Sequence, residues 1–148
     1  MYERVLVAVD GSECGDHAFG VARSLVSRDL GSELTVVHVA QLVTGRAGTT
    51  RRAAQDEELV ERLQQSVAKL LAEGVKTQLM TPTTYQDGPA FAIAEVADQV
   101  DADVILIGSR GESSGAQAVL GEVPVQLLQS AYRPVMVIPM PRQLVGLD

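Results

Sequence analysis

The sequence predicts a doubly wound α/β sandwich: a parallel sheet with helices on both faces. Three observations carry that prediction. Short runs rich in apolar and β-branched residues recur five times, and four of them are apolar almost throughout. Such runs suit strands buried on both faces. Between them the apolar residues change to spacings of three and four, the period of a helix with one buried stripe. The two patterns alternate, and right-handed crossovers between parallel strands then put helices on both faces.

Taken in order, Val5-Leu6-Val7-Ala8-Val9 is the first strand, ended by Asp10-Gly11-Ser12. Ala18, Val21, Ala22 and Leu25 set the stripe of the first helix, which Gly31 closes. Leu34 to Val39 reads as the second strand. Residues 41–52 hold Gly/Arg-rich turn signals and few apolar anchors, and a flexible loop is expected there. Leu59, Leu63, Val67, Leu70 and Leu71 make a long amphipathic helix capped by Gly74. Val75 to Met80 is a third, less apolar strand. Pro89 suits the first turn of a helix whose stripe is Ile93, Val96, Ala97 and Val100. Val104 to Ile107 is the fourth strand. Pro124 starts a short helix with Val125, Leu127 and Leu128, and Val135 to Ile138, between Pro134 and Pro139, is the fifth strand. Residues 142–148 form a tail. The whole chain, 1–148, reads as one domain.

Composition narrows the function. Twelve Lys+Arg against nineteen Asp+Glu give a formal net charge of -7. That balance disfavours nucleic acid and anionic membrane, which need clustered cations. There is no Trp, and only two Phe and three Tyr, so no base-stacking platform is legible. The one cysteine, Cys14, has no partner for an intrachain disulfide, which fits a reducing cytoplasm. Glu3 and Arg4 lead straight into the first strand, unlike a secretory leader.

Ligands of doubly wound sheets bind beyond the carboxyl ends of the strands, where the winding reverses. The loops there are Asp10–Ser12, Val39–Gln41 and Gly108–Gly121. Gly108, Gly111 and Gly121 form the pattern G-x-x-G-x9-G. Glycines let successive N–H groups turn toward one anion and remove the Cβ that would block phosphate oxygens. Arg110 inside the turn adds a charge-assisted contact, and a helix beginning near Val123 adds its positive dipole end.

At these residues the chain resembles the universal stress protein family. Val7 to Ser12 is similar to that family's opening strand and turn, Leu34 to Val39 to its second strand, and Ala102 to Gly111 to its fourth strand and glycine turn. Arg133 to Ile138 resembles its closing strand. The resemblance implies a five-stranded parallel sheet of order 3-2-1-4-5, of the adenine-nucleotide alpha-hydrolase-like class. It implies a site for ATP or another adenine nucleotide, with or without magnesium, in some members and no nucleotide in others. Carried over by residue, Ala8, Asp10 and Val39 would hold adenine and ribose, and Ile107, Gly108, Gly111, Gly121 and Val123 the phosphate side; Arg110 and Glu122, read from their place in the turn, complete the candidate set. It also implies a cytoplasmic homodimer whose last strands, Val135, Met136, Val137 and Ile138, pair across a two-fold axis.

One departure bears on the ligand. The family's Ser/Thr after the last glycine is Glu122 here, and a second hydroxyl two positions on is Pro124. Two unit charges about 4 Å apart repel by about 1 kcal/mol in water and more when desolvated. Pro124 also deletes an N–H from the helix start. A divalent cation shared between Glu122 and a phosphate would reverse the repulsion.

The other singular residues read as structural. His38 is expected to be packed and hydrogen-bonded, His17 to face solvent, and Cys14 to be a surface thiol. Asp56-Glu57-Glu58 suits a helix N-terminus. No nucleophile–base pair or metal-ligand cluster is legible, so no turnover is expected and no residue is nominated for ATP hydrolysis or self-phosphorylation. The functional expectation is a nucleotide-responsive stress or signalling protein. The alternative is a family member without nucleotide, acting as a protein-interaction dimer. A pyrophosphate loop directly after the first strand is absent, which argues against adenylyl transfer and dinucleotide chemistry. Met80-Thr81-Pro82 ends the third strand without the acceptor Asp of a phospho-receiver domain.

Overall fold

The computed structural model describes residues 2–27, 30–44, 50–52, 54–84, 88–111 and 121–141. In chain order the elements are β1 (Arg4–Ala8), α1 (Glu13–Leu25), β2 (Glu33–Val37), β3 (Ala40–Thr44), β4 (Thr50–Arg52), α2 (Ala54–Ala72), β5 (Lys76–Met80), β6 (Thr83–Thr84), α3 (Pro89–Val100), β7 (Val104–Gly108), α4 (Glu122–Ser130) and β8 (Val135–Ile138). Five strands form one parallel sheet in which neighbours run β5-β2-β1-β7-β8. β1 is central, with Val5 opposite both Leu34 and Val104.

The alternation of side chains along β1 sorts the core into two layers. Val5, Val7 and Val9 join the cluster under α1 and α2, with Ala18, Ala22, Leu63 and Leu70. Leu6 and Ala8 join the cluster under α3 and α4, with Ile93, Ala97, Ile105 and Leu127. Both faces are therefore covered, as the apolar strands predict.

α1 begins five residues before the apolar stripe at Ala18, because its first turn is held by polar groups. Ser12 caps it, its Oγ accepting the Gly15 N–H at 3.1 Å, and Glu13 and Asp16 sit at the positive end of the dipole. α2 is closed by Gly74, whose N–H donates to the Leu71 carbonyl and whose φ of 89° only glycine adopts cheaply. α3 starts on Pro89 and ends on Asp101 in the left-handed region.

The segment 41–52, expected as a loop, contains strand pairing. β3 and β4 pair antiparallel, Leu42 opposite Arg52 and Thr44 opposite Thr50, while β3 runs parallel to β6. The physical reason is the run Leu42-Val43-Thr44, whose β-branched residues favour extended backbone. Residues 45–49, within the expected loop, and the expected tail at 142–148 lie outside the described residues.

At the amino ends of the strands the charged side chains alternate. Lys76 Nζ is 3.7 Å from Glu33 Oε1, Glu33 Oε2 is 3.9 Å from Arg4 Nε, and Arg4 Nη1 is 3.6 Å from Asp101 Oδ2. Arg133 continues the series, to Asp101 at 3.1 Å and Asp98 at 3.2 Å, and donates to the Ala102 carbonyl at 2.6 Å. Asp103 Oδ2 accepts the N–H groups of Arg4 and Glu3 at 2.8 and 2.9 Å. The Arg4 hydrogen bond, with that of Glu3 and the nearby guanidinium groups of Arg4 and Arg133, holds the Asp103 carboxyl below its ordinary value against a smaller effect of burial.

Candidate functional site

The carboxyl ends of β1, β2 and β7 lie side by side, Ala8 paired with both Val37 and Ile107. Val9 N–H extends the pairing to the Val37 carbonyl at 2.9 Å. The chain then leaves the sheet through Asp10, Gly11 (φ 88°) and Ser12. Ser12 turns the Asp10 carboxylate: its N–H donates to Oδ1 at 3.0 Å and its hydroxyl donates to the same oxygen.

That orientation brings Asp10 against Gly111 of the glycine turn. A Cβ on Gly111 would stand 2.5 Å from Asp10 Oδ2, and a Cβ on Gly15 would stand 2.9 Å from Oδ1. Gly111 and Gly15 are thus glycines because a carboxylate occupies the space of a side chain. The structure places Asp10 and Gly111 in one locus, although 101 positions separate them in the chain.

Gly108 also has a packing role. A Cβ there would meet the Cys14 carbonyl carbon at 2.9 Å and Cys14 Sγ at 3.0 Å. Its bare Cα lets α1 pack on the end of β7. Cys14 itself is buried, with Sγ donating to the Ile138 carbonyl at 3.3 Å. The expected surface thiol is therefore a core residue, because the first turn of α1 faces β7 rather than water.

The remaining expected residues fall into two groups. Ala8 and Ile107 are buried in the cluster under α3 and α4, and Val39 and Val123 are half-buried against that same cluster. Gly121 is the N-cap of α4 and closes the turn, its N–H donating to the Ser109 carbonyl at 2.6 Å. Arg110 is half-buried within the turn. Glu122 is exposed in the first turn of α4, where Gln126 Nε2 donates to its Oε1 at 3.1 Å. The arrangement offers an apolar floor, a carboxylate that accepts hydrogen bonds from hydroxyls, and backbone N–H groups at the start of α4.

The surroundings are acidic. Burial pushes the Asp16 carboxyl above its ordinary value; Arg62, 3.4 Å away, draws it back, and Asp10 and Glu13 add to the rise. Among the described residues no group of three or more His, Cys, Asp or Glu side chains is placed to hold a metal ion.

His38 is packed, as expected. Its Nδ1 lies 2.9 Å from the Val9 carbonyl oxygen and its Nε2 3.0 Å from Asp56 Oδ1. Both ring nitrogens are engaged inside the protein, which leaves neither for a ligand. The Asp56 partner was not legible in sequence beyond its place in the first turn of α2. His17, half-exposed, has Nδ1 3.0 Å from the Pro139 carbonyl oxygen, so it ties α1 to the chain after β8. No helix among the described residues is long and apolar enough to cross a membrane.

Comparison with known proteins adds independent findings. The profile described as the universal stress protein family matches residues 1–139. The chain is similar to universal stress protein Sll1654 of Synechocystis, 32% identical over 130 residues that cover 82% of this chain and 83% of that one. Among solved structures, it is similar to a universal stress protein from Archaeoglobus fulgidus in complex with dAMP, at 27% identity and a TM-score of 0.63, covering 93% of this chain and 98% of that one. It shares its fold with a universal stress protein in complex with cAMP, at 20% identity and a TM-score of 0.67, covering 95% and 98% of the two chains.

Proposed function

The chain belongs to the universal stress protein family, and from that premise we propose that it is a non-catalytic regulatory domain that binds an adenine nucleotide beyond the carboxyl ends of β1, β2 and β7. The observation that carries this reading is the meeting of Asp10 with Gly111. A carboxylate beside a Cβ-free turn, above the apolar Ala8, Val39, Ile107 and Val123, suits a ribose hydroxyl between a base and a phosphate. The Archaeoglobus relative, in complex with dAMP, supports the ligand class. The same reading assigns the fold to the adenine-nucleotide alpha-hydrolase-like class, supported by the pairing order β5-β2-β1-β7-β8. Magnesium enters only as a counter-ion on the nucleotide's phosphates, since no described cluster of three such side chains would hold it alone.

The test is calorimetry with AMP and with ATP, with and without magnesium, on the chain and on Gly111→Val. The bulkier residue displaces Asp10 from the turn, and a loss of affinity of at least about tenfold is expected, with the far-UV circular dichroism unchanged. Unchanged affinity in the valine variant would refute the assignment of the site.

A second reading, a protein-interaction dimer without nucleotide, has its own support. β8 stands at the end of the sheet with one side unpaired by the five strands, and Val135, Met136 and Val137 are only half-buried along it. Leu128 and Tyr132, close by in sequence, are exposed. Both readings include a homodimer through β8, which light scattering at micromolar concentration tests. Mass spectrometry of ligand released from freshly purified protein separates them.

A further inference from the structure

We infer that His38 and Asp56 form a proton-operated latch. It holds the first turn of α2 on the carboxyl ends of β1 and β2 while the ring carries both its protons, and it loosens when one is lost. The inference stands apart from the nucleotide reading and does not need it.

The proton count follows from the partners. His38 Nδ1 lies 2.9 Å from the Val9 carbonyl oxygen, and Nε2 lies 3.0 Å from Asp56 Oδ1. A carbonyl and a carboxylate only accept, so each ring nitrogen has to donate. A neutral imidazole has a single N–H, and its other nitrogen would set a lone pair against an oxygen. The closed arrangement therefore needs an imidazolium beside the Asp56 carboxylate, or the same two protons shared between them. The His38 side chain is 5% exposed, so little water reaches a nitrogen that loses its partner. The Asp56 side chain is 19% exposed and can turn toward solvent.

The latch sits where little else secures the helix. The His38 backbone is fixed, its N–H donating to the Met80 carbonyl of β5 at 3.0 Å. α2 is anchored by the buried Leu59, Leu63, Val67 and Leu70, all of which follow Asp56 in the chain. Glu57 and Glu58, between Asp56 and Leu59, are exposed. The first turn can thus lift while the rest of α2 stays packed.

The charges around the ring set the direction. From α2 come Asp56 in contact and Glu57 and Glu58 beside it, while Arg62, further along the helix, is paired to Asp16 of α1 at 3.4 Å. β1 presents the Val9 carbonyl, with Asp10 the next residue, and β5 presents the Met80 carbonyl. A protonated ring is a cation beside carboxylates, and a neutral ring forfeits that attraction. The latch is closed in acid and looser as pH rises, over the range of about pH 5 to 8 in which imidazoles change charge.

Two measurements on the full chain test it. Nitrogen NMR shifts of the ring report how many protons His38 carries, and His17→Gln identifies its signals, since the chain has two histidines. Two protonated nitrogens are expected at about pH 5, and one by about pH 8. Amide hydrogen exchange, corrected for its intrinsic rate, reports the opening through Glu58, Leu59 and Val60, whose N–H groups bond carbonyls of the first turn. Their protection is expected to fall at least about fivefold over that range, and that of Ile93 and Val96 in α3 to change less than about twofold. Asp56→Asn separates charge from contact. Its amide both accepts and donates, so it meets the ring in either state, and protection should then stay level within about twofold. A ring that is neutral throughout, level protection in the unaltered chain, or the same fall in Asp56→Asn overturns the inference. If the variant does not fold, the ring shifts and the exchange of the unaltered chain still decide.

Discussion

At the amino ends of the strands, six charged side chains alternate in sign from Lys76 through Glu33, Arg4, Asp101 and Arg133 to Asp98. At the carboxyl ends, Asp10 crowds against Gly15 and Gly111, and burial pushes the Asp16 carboxyl above its ordinary value although Arg62 lies 3.4 Å away. One edge of the sheet satisfies its charges within the chain. The other sets the Asp10 carboxylate against turns stripped of Cβ atoms. The two ends are thus built differently: ion pairs close one, and glycines that make room for a carboxylate shape the other. Most pairs of the amino edge are exposed, and each is worth no more than about 1 kcal/mol. Arg133 differs, because its side chain is only 23% exposed and also donates to a backbone carbonyl.

The largest expected effect breaks the division from the wrong side. Gly108 lies at the carboxyl ends and packs against Cys14, so Gly108→Ala should behave as a packing mutation. A Cβ 2.9 Å from backbone forces the start of α1 off β7, and a cost of about 3 kcal/mol is expected. Thermal unfolding should show it as a fall in Tm of roughly 9 °C. A variant with unchanged Tm but lost nucleotide affinity would return Gly108 to the ligand.

Arg133→Met sharpens the comparison. It removes two carboxylate contacts and one carbonyl contact, with an expected cost of about 2 kcal/mol by urea unfolding. Nucleotide affinity should not move, and a shift of more than about threefold would couple the two edges.

The smallest effect is a pH dependence. Asp103 is held below its ordinary value of 3.8, chiefly by the Arg4 N–H, so its folded-state value lies below its unfolded one. The sign follows: its contribution is full above the unfolded value and is lost as pH falls through the folded value. Asp103→Asn should therefore be less stable by about 1 kcal/mol at neutral pH. The difference from the unaltered chain should shrink in acid below pH 3.8. A difference constant from neutral pH down to acid would show that the carboxylate's charge contributes nothing.

Much of this architecture was legible because burial writes itself into local sequence. Val5 to Val9 and Val104 to Ile107 announce a sheet covered on both faces, and the stripe Ile93, Val96, Ala97 and Val100 announces the helix that covers one of them. The first turn of α1 was hard to read because polar Ser12, Glu13 and Asp16 surround Cys14, its one buried side chain, four residues before Ala18. β3 and β4 were masked by the glycines between them, whose turn signals outweighed three extended residues on either side. Of the candidate site, the positions were legible and the packing was not. Asp10 and the three glycines follow from strand ends and spacing, but the split between Gly111, which faces Asp10, and Gly108, which faces Cys14, is a fact of packing. The charge series at the amino edge could not be read at all, because Arg4 finds its partners at Glu33 and Asp101. Such contacts depend on strand order rather than on neighbours along the chain.

Cys14 lies at the seam between α1 and the end of β7, and it is the chain's single cysteine. The protein thus carries a built-in chemical clock. A thiol reagent cannot reach Sγ until the first turn of α1 lifts from the sheet, so the rate of labelling measures the free energy of that local opening. No residue need be altered to make the measurement, and every labelled molecule reports the same hinge.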